Sequence, residues 1–157
     1  MLQVKAYYSS AIRGPAGDQA TAIEMETNLS AACLQATELQ QIFGNLLDIY
    51  CPHQHDRLIQ ILWKQGHIAT GPILQADLLI QNDCDITIVN NTISSYGVDL
   101  EIQNARFHRQ PCILIGNTLT DQDILEITRS IQQILIRKME YVEASKTSFE
   151  SNSRTTS

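Results

Sequence analysis

The sequence predicts a single α/β domain, an open, doubly wound parallel sheet of about four to five strands with helices on both faces. Three observations lead there. Short apolar runs alternate along the chain with longer segments whose apolar residues recur at helical spacing. The runs are nearly continuous rather than alternating, which is how strands read when both faces are covered. The length of 157 residues, with 43% hydrophobic and 18% charged, suits one core and disfavours disorder and coiled coil.

In order along the chain, Leu2 to Tyr8 reads as a buried strand, and Ser9 to Asp18, holding two Gly, one Pro and one Arg, as a loop. Gln19 to Phe43 places Ile23, Leu29, Ala32, Cys33, Ala36, Leu39, Ile42 and Phe43 at helical spacing and stops at Gly44, a C-terminal cap. Leu46 to Cys51 is a second strand stopped by Pro52, and Asp56 to Gln65 a short helix closed by Gly66. Pro72, tolerated in a first turn, starts a helix running to about Gln81. Asp85 to Asn90 is the third strand, Asn91 to Tyr96 a polar loop, Gly97 to His108 a helix and Pro111 to Ile115 the fourth strand. Thr120 and Asp123 open the last helix as a capping box with Asp in place of Glu. Ile124, Ile127, Ile131, Ile134 and Leu135 carry that helix to about Val142, and residues 143–157 are expected to form a disordered tail. Right-handed crossovers favour a strand order near 2-1-3-4.

Composition narrows the function. Eleven Lys and Arg against seventeen Asp and Glu leave a net charge of −6 without a basic run, which argues against duplex nucleic acid as a partner. No apolar stretch approaches the ~18–20 residues that span a bilayer. The N-terminus enters strand-like sequence directly, without a signal-peptide pattern, so a cytoplasmic protein with no membrane partner is expected. Cys33, Cys51, Cys84 and Cys112 lie in or beside apolar segments without a C-x-x-C pair, and read as reduced small hydrophobes rather than zinc ligands. His53 and His55, in Cys51-Pro52-His53-Gln54-His55-Asp56, read as a loop rather than a metal site, with His55 or Asp56 capping the helix that follows.

In a doubly wound sheet, ligands bind outside the carboxyl ends of the strands at the switch point. The loops there are Ser9–Asp18, Cys51–Asp56, Asn90–Tyr96 and Gly116–Thr120. In the first, small residues let backbone approach a ligand, and Arg13 either pairs with an anionic group or is a solvated loop residue. In the third, Ser94, Ser95 and the amides opening the next helix form an anion or sugar-hydroxyl site. Glu101 lies one turn into that helix, either facing the cleft or merely complementing the helix dipole. Asp77 interrupts an apolar helix and is either a surface group or a cleft acid. Two carboxylates at one cleft suit glycosidic chemistry, one attacking the anomeric carbon and the other managing protons.

These motifs fall in a recognisable order. Tyr-x-x-Ser-Ala-Ile-Arg-Gly spans Tyr7 to Gly14, Asp-x7-Asp spans Asp77 to Asp85, and Ser-x-Gly-Val-x-x-Glu spans Ser95 to Glu101. Ala105 follows, then Gln-Pro-x-Ile-Leu from Gln110 to Leu114. Over roughly residues 3 to 116 the chain resembles the nucleoside 2-deoxyribosyltransferase superfamily, nearest its 2′-deoxynucleoside 5′-phosphate N-hydrolase and nucleotide N-glycosidase branch. The resemblance implies a flavodoxin-like domain over residues 1–142 with Glu101 as the nucleophile that attacks the sugar C1′. It implies that Asp77 orients the sugar or assists proton transfer to the leaving base, and that Tyr7 stands near the nucleophile. Ser10, Ile12, Arg13 and Gly14 would surround the sugar and phosphate, and Ser94, Ser95 and Gly97 would form the phosphate-side loop. Asn117 is the candidate for a polar group offered to a neighbouring subunit of a homodimer or higher oligomer.

Three positions depart from the family pattern. Ser10 and Pro15 stand where glycines are usual in the first loop, and Asp99 replaces the second Gly of Gly-Val-Gly-x-Glu. A carboxylate at 99 either repels a 5′-phosphate or points away at the helix surface. The implied function is hydrolysis of the base–sugar bond of a (deoxy)nucleoside 5′-monophosphate through a covalent glycosyl-enzyme, without metal or organic cofactor. Base exchange between nucleosides, cleavage of a larger nucleotide such as NAD, and a non-catalytic nucleotide sensor are the competing readings.

Overall fold

The computed structural model describes residues 2–52, 61–62, 65–67, 69–93 and 95–153. The expected helix from Asp56, the His53/His55 pair before it, and Ser94 lie wholly or largely outside the described residues. Strands β1 (Val4–Ser9), β2 (Leu47–Tyr50), β3 (Ile86–Asn90) and β4 (Cys112–Ile115) form one parallel sheet in the order β2-β1-β3-β4. The α-helices whose full span lies among the described residues are α1 (Ala22–Phe43), α2 (Thr70–Asn82), α3 (Tyr96–Phe107) and α4 (Asp121–Ser153). The architecture is flavodoxin-like, and the switch point falls between β1 and β3, as expected.

Alternation along β1 divides the molecule into two unlike halves. Val4, Ala6 and Tyr8 point to one face, where Ile86, Ile88, Ile113 and Ile115 meet Ala36 and Leu39 of α1 and Ile127 and Ile131 of α4. This face holds the main apolar core, each fully buried aliphatic side chain contributing roughly 1.5–3 kcal/mol. Tyr7 and Ser9 point the other way, toward α2 and α3, with Thr87 in register beside Tyr7 and Val89 beside Ser9. There the apolar cluster is small, Ala11, Val89, Val98 and Ile102, and polar side chains fill much of the remaining interior.

Element ends follow their local chemistry. A Thr21/Glu24 capping box starts α1 at Ala22 rather than at Gln19, and the Gly14–Gln19 stretch before it is a short 3₁₀ turn inside the expected loop. Thr21 Oγ1 accepts from Glu24 N at 3.2 Å, and Thr21 N donates to the Glu24 carboxylate at 2.8 Å. The anticipated Thr120/Asp123 box opens α4 with the same reciprocal pair, at 3.2 and 2.9 Å. That helix does not end near Val142 but continues to Ser153. No Gly or Pro interrupts it, and Glu143, Ala144, Lys146 and Glu150 are good helix formers that outweigh the serines between them. On the edge strand β2, Gln40 of α1 accepts from Ile49 N and donates to Leu47 O, satisfying backbone groups that β1 does not reach.

Candidate active site

Glu101 is the centre of the polar half. It sits in the second turn of α3, only 8% exposed, on the face that looks at β1. Tyr7 OH donates to its Oε1 at 2.6 Å, and the Ser9 hydroxyl donates to its Oε2. Tyr7 and Ser9 share a face of β1 because they are two residues apart, so one strand supplies both donors. Burial pushes the Glu101 carboxyl up, and the hydrogen bonds from Ser9 and Tyr7 pull it partly back. Tyr7 is pushed well above its ordinary value, first by burial and then by the negative charges of Glu101 and Asp77. Its phenol therefore remains an O–H donor, and Tyr50 stacks on it with ring centroids 6.0 Å apart.

Asp77 is half-buried on α2, and its charge bears on Tyr7, so the phenol feels both carboxylates. One turn later, Gln81 is wholly buried. Its amide donates to Glu101 O at 2.9 Å and Thr87 Oγ1 at 3.0 Å, and accepts from Asn104 at 2.7 Å. Thr87 in turn donates to Gln110 at 2.7 Å. This network fixes α2 and α3 against β3, and with them the placement of Asp77 and Glu101.

The first loop is held from α1. Asn28 donates to Ile12 O at 2.9 Å, and Gly14 is buried beside it at φ +58. A Cβ at Gly14 would come within 3.0 Å of the Asn28 amide, so glycine answers both a left-handed backbone and a close approach. Ser10, Ile12 and Arg13 are half-buried in this loop. Ser95 is the N-cap of α3, its hydroxyl accepting from Val98 N at 3.3 Å, while Ser94 lies outside the described residues. At Gly97 an added Cβ would make only ordinary contact with Leu74, at 3.9 Å, so nothing steric demands glycine there. Asp99 is exposed, and two residues' rotation (about 200°) puts it on the side of α3 away from the buried Glu101.

Asn117 does not join this cluster. It belongs to a second polar network, over the apolar face, whose hub is the buried Gln35 of α1. Gln35 accepts from Tyr8 OH at 2.6 Å and Asn90 at 2.8 Å, and donates to Gly116 O and Asn117 O. The Asn117 side chain accepts from Asn90 at 3.1 Å and Thr92 at 2.8 Å, which engages it within its own chain. No family model, curated protein or solved structure matches the chain.

Ser9, Gln81, Thr87 and Asn104 of this cluster escaped the sequence reading. Ser9 is the next inward position after Tyr7, and Gln81 lies one turn beyond Asp77. Both signals need the knowledge of which strand face and which helix face look inward. Among the described residues no three His, Cys, Asp or Glu side chains gather to hold a metal ion. Burial pushes the thiols of Cys33, Cys84 and Cys112 up, Cys84 to about 11, so these three stay protonated at neutral pH.

Proposed function

We propose that the chain is a retaining N-glycosidase that hydrolyses the base–sugar bond of a (deoxy)nucleoside 5′-monophosphate. The observation that carries the reading is the buried Glu101 carboxylate, each oxygen held by a neutral hydroxyl at the carboxyl end of β1. Hydroxyl donors aim the carboxylate without neutralising it as an arginine would, which suits a group that must attack. A Glu101 oxygen forms a bond to C1′ while the C1′–N bond breaks, its electron pair leaving with the base. Asp77 manages the proton that the departing base takes up. Water then attacks the ester at C1′, one proton passes to the site, and Glu101 is released as carboxylate.

The sugar-phosphate end of the substrate is assigned to the loop carrying Ser10, Ile12, Arg13 and Gly14 and to the start of α3 at Ser95 and Gly97. Asp99 is exposed and lies on the side of α3 away from Glu101, so it does not stand beside the proposed nucleophile. On the same reading the enzyme acts in the cytoplasm as a homodimer and needs no cofactor, as the family resemblance implies. The test is to incubate the protein with nucleoside 5′-monophosphates, the matching nucleosides and NAD, and to follow free base by chromatography, with Glu101→Gln in parallel. Base released from a monophosphate by the parent, and not by the variant, is the expected result. Release only in the presence of an acceptor base would make the chain a transferase, and binding without release would make it a sensor.

A further inference from the structure

At the opposite edge of the sheet from Glu101, a cavity of about 650 Å³ opens between the C-terminal end of α3, the start of β4 and the middle of α4. Its volume is that of a small-molecule site. Four basic side chains line it, His108, Arg109, Arg137 and Lys138, against one acid, Asp85. That acid is already engaged, accepting from Lys138 Nζ at 2.5 Å and from Lys5 N at 2.7 Å. The Arg109 and Arg137 guanidinium groups make no ion pair with a described residue. Both are exposed, so an incoming anion would meet two such unpaired guanidinium groups at the solvent side of this cavity.

Arg109 supplies a second, independent observation. It is the one described non-glycine residue with positive φ, at +54. Gln110 N bonds to Ala105 O at 2.9 Å and Arg109 N to Arg106 O at 3.1 Å, the Schellman pattern that closes a helix. The left-handed position of that motif is usually glycine, because a Cβ there is strained. The chain places an arginine in it, on the lining of the cavity. The adjacent wall is rigid, since the Gln110 side chain donates to Gln81 O at 3.0 Å and Cys84 O at 2.6 Å and accepts from Thr87. Ile134, Tyr141, Val142 and Leu2 supply the apolar remainder.

We propose that this cavity binds a small anionic molecule with an apolar or aromatic body, its phosphate or carboxylate held between Arg109 and Arg137 and its body against Ile134 and Tyr141. The site is separate from Glu101 and stands whether or not that residue is a nucleophile. The test titrates the full chain with phenyl phosphate, benzoate, inorganic phosphate and benzyl alcohol while following backbone amides by NMR. Saturable shifts are expected around residues 108–111 and 134–142 with phenyl phosphate or benzoate, the tighter of the two giving the anion class. Inorganic phosphate should bind more weakly and benzyl alcohol not at all. Arg109→Gln and Arg137→Gln should each weaken binding about tenfold or more. Arg109→Gly separates function from folding, because it should raise the Tm by a few degrees, roughly 2–4 °C, while losing the ligand to the same extent. The proposal is overturned if neither organic anion saturates, if their shifts centre on Tyr7, Ser9 and Glu101, or if Arg109→Gly binds as the parent does.

Discussion

A buried carboxylate held only by hydroxyls is destabilising when ionised, and Glu101 makes that cost measurable. Burial lifts its pKa above the ordinary 4.5, so the folded protein holds this proton more tightly than the unfolded chain does. Stability is therefore fully present below about pH 4.5 and falls as pH rises through the folded value. Glu101→Gln should raise the Tm relative to the parent at about pH 8 and leave it nearly unchanged at about pH 4, and under the proposed function base release should drop by about a thousandfold or more. An equal Tm difference at both pH values would show that ionisation of Glu101 is not what limits stability. Ser9 acts in the opposite sense, because its hydrogen bond favours the charged form. Ser9→Ala should move the acid limb of the pH–rate profile to higher pH, and a profile that stays in place would deny Ser9 that role. Glu101 and Tyr7 stood out in the sequence as polar residues beside the loops at the carboxyl end of the sheet, and the structure joins them by a hydrogen bond. Ser9 did not, because a small hydroxyl residue at a strand end has the same composition signal as a loop.

At the scale of elements, the order of strands and helices was legible because apolar runs and helical stripes differ in period, and because Gly44, Pro52 and Pro72 punctuate them. The bounds of β3, α3 and β4 fell within a residue of the expected ones, and a recognised cap did the same for the start of a longer helix. The Thr120/Asp123 box fixed the start of α4, whereas the equivalent Thr21/Glu24 box lay inside a segment already read as helix. Each box satisfies an otherwise orphaned amide at a helix start, and Thr21→Ala should cost about 1 kcal/mol in a urea titration. Thr120→Ala should cost a similar amount, and a change below the error of the titration for both would mean that packing alone sets these ends. The last helix shows the converse failure. A rise in serine and threonine reads as a tail, yet without Gly or Pro the backbone hydrogen bonds simply continue.

For the whole molecule, the two sheet faces divide the main apolar core from the polar cluster around Glu101, and that division can be tested by one substitution on each. Ile131 of α4 is 2% exposed and belongs to the apolar core. Ile131→Ala removes buried methylenes and leaves a cavity, so roughly 2–5 kcal/mol of stability should be lost. Gln81, wholly buried on the other side, holds Glu101 O, Thr87 and Asn104. Gln81→Leu leaves few groups orphaned, because Thr87 still donates to Gln110 and Asn104 still donates to Asn82. Its stability cost should therefore be smaller, about 1–3 kcal/mol. The effect on the site should run the other way. Without the Gln81 amide, α3 is free to rotate against β1, the hydroxyl contacts to Glu101 loosen, and the carboxyl should titrate at higher pH because burial is then less well offset. Urea melts of both variants, paired with a carbon NMR titration of Glu101, measure the two quantities separately. If Ile131→Ala moves the Glu101 titration as far as Gln81→Leu does, the faces are coupled through the sheet and the division fails.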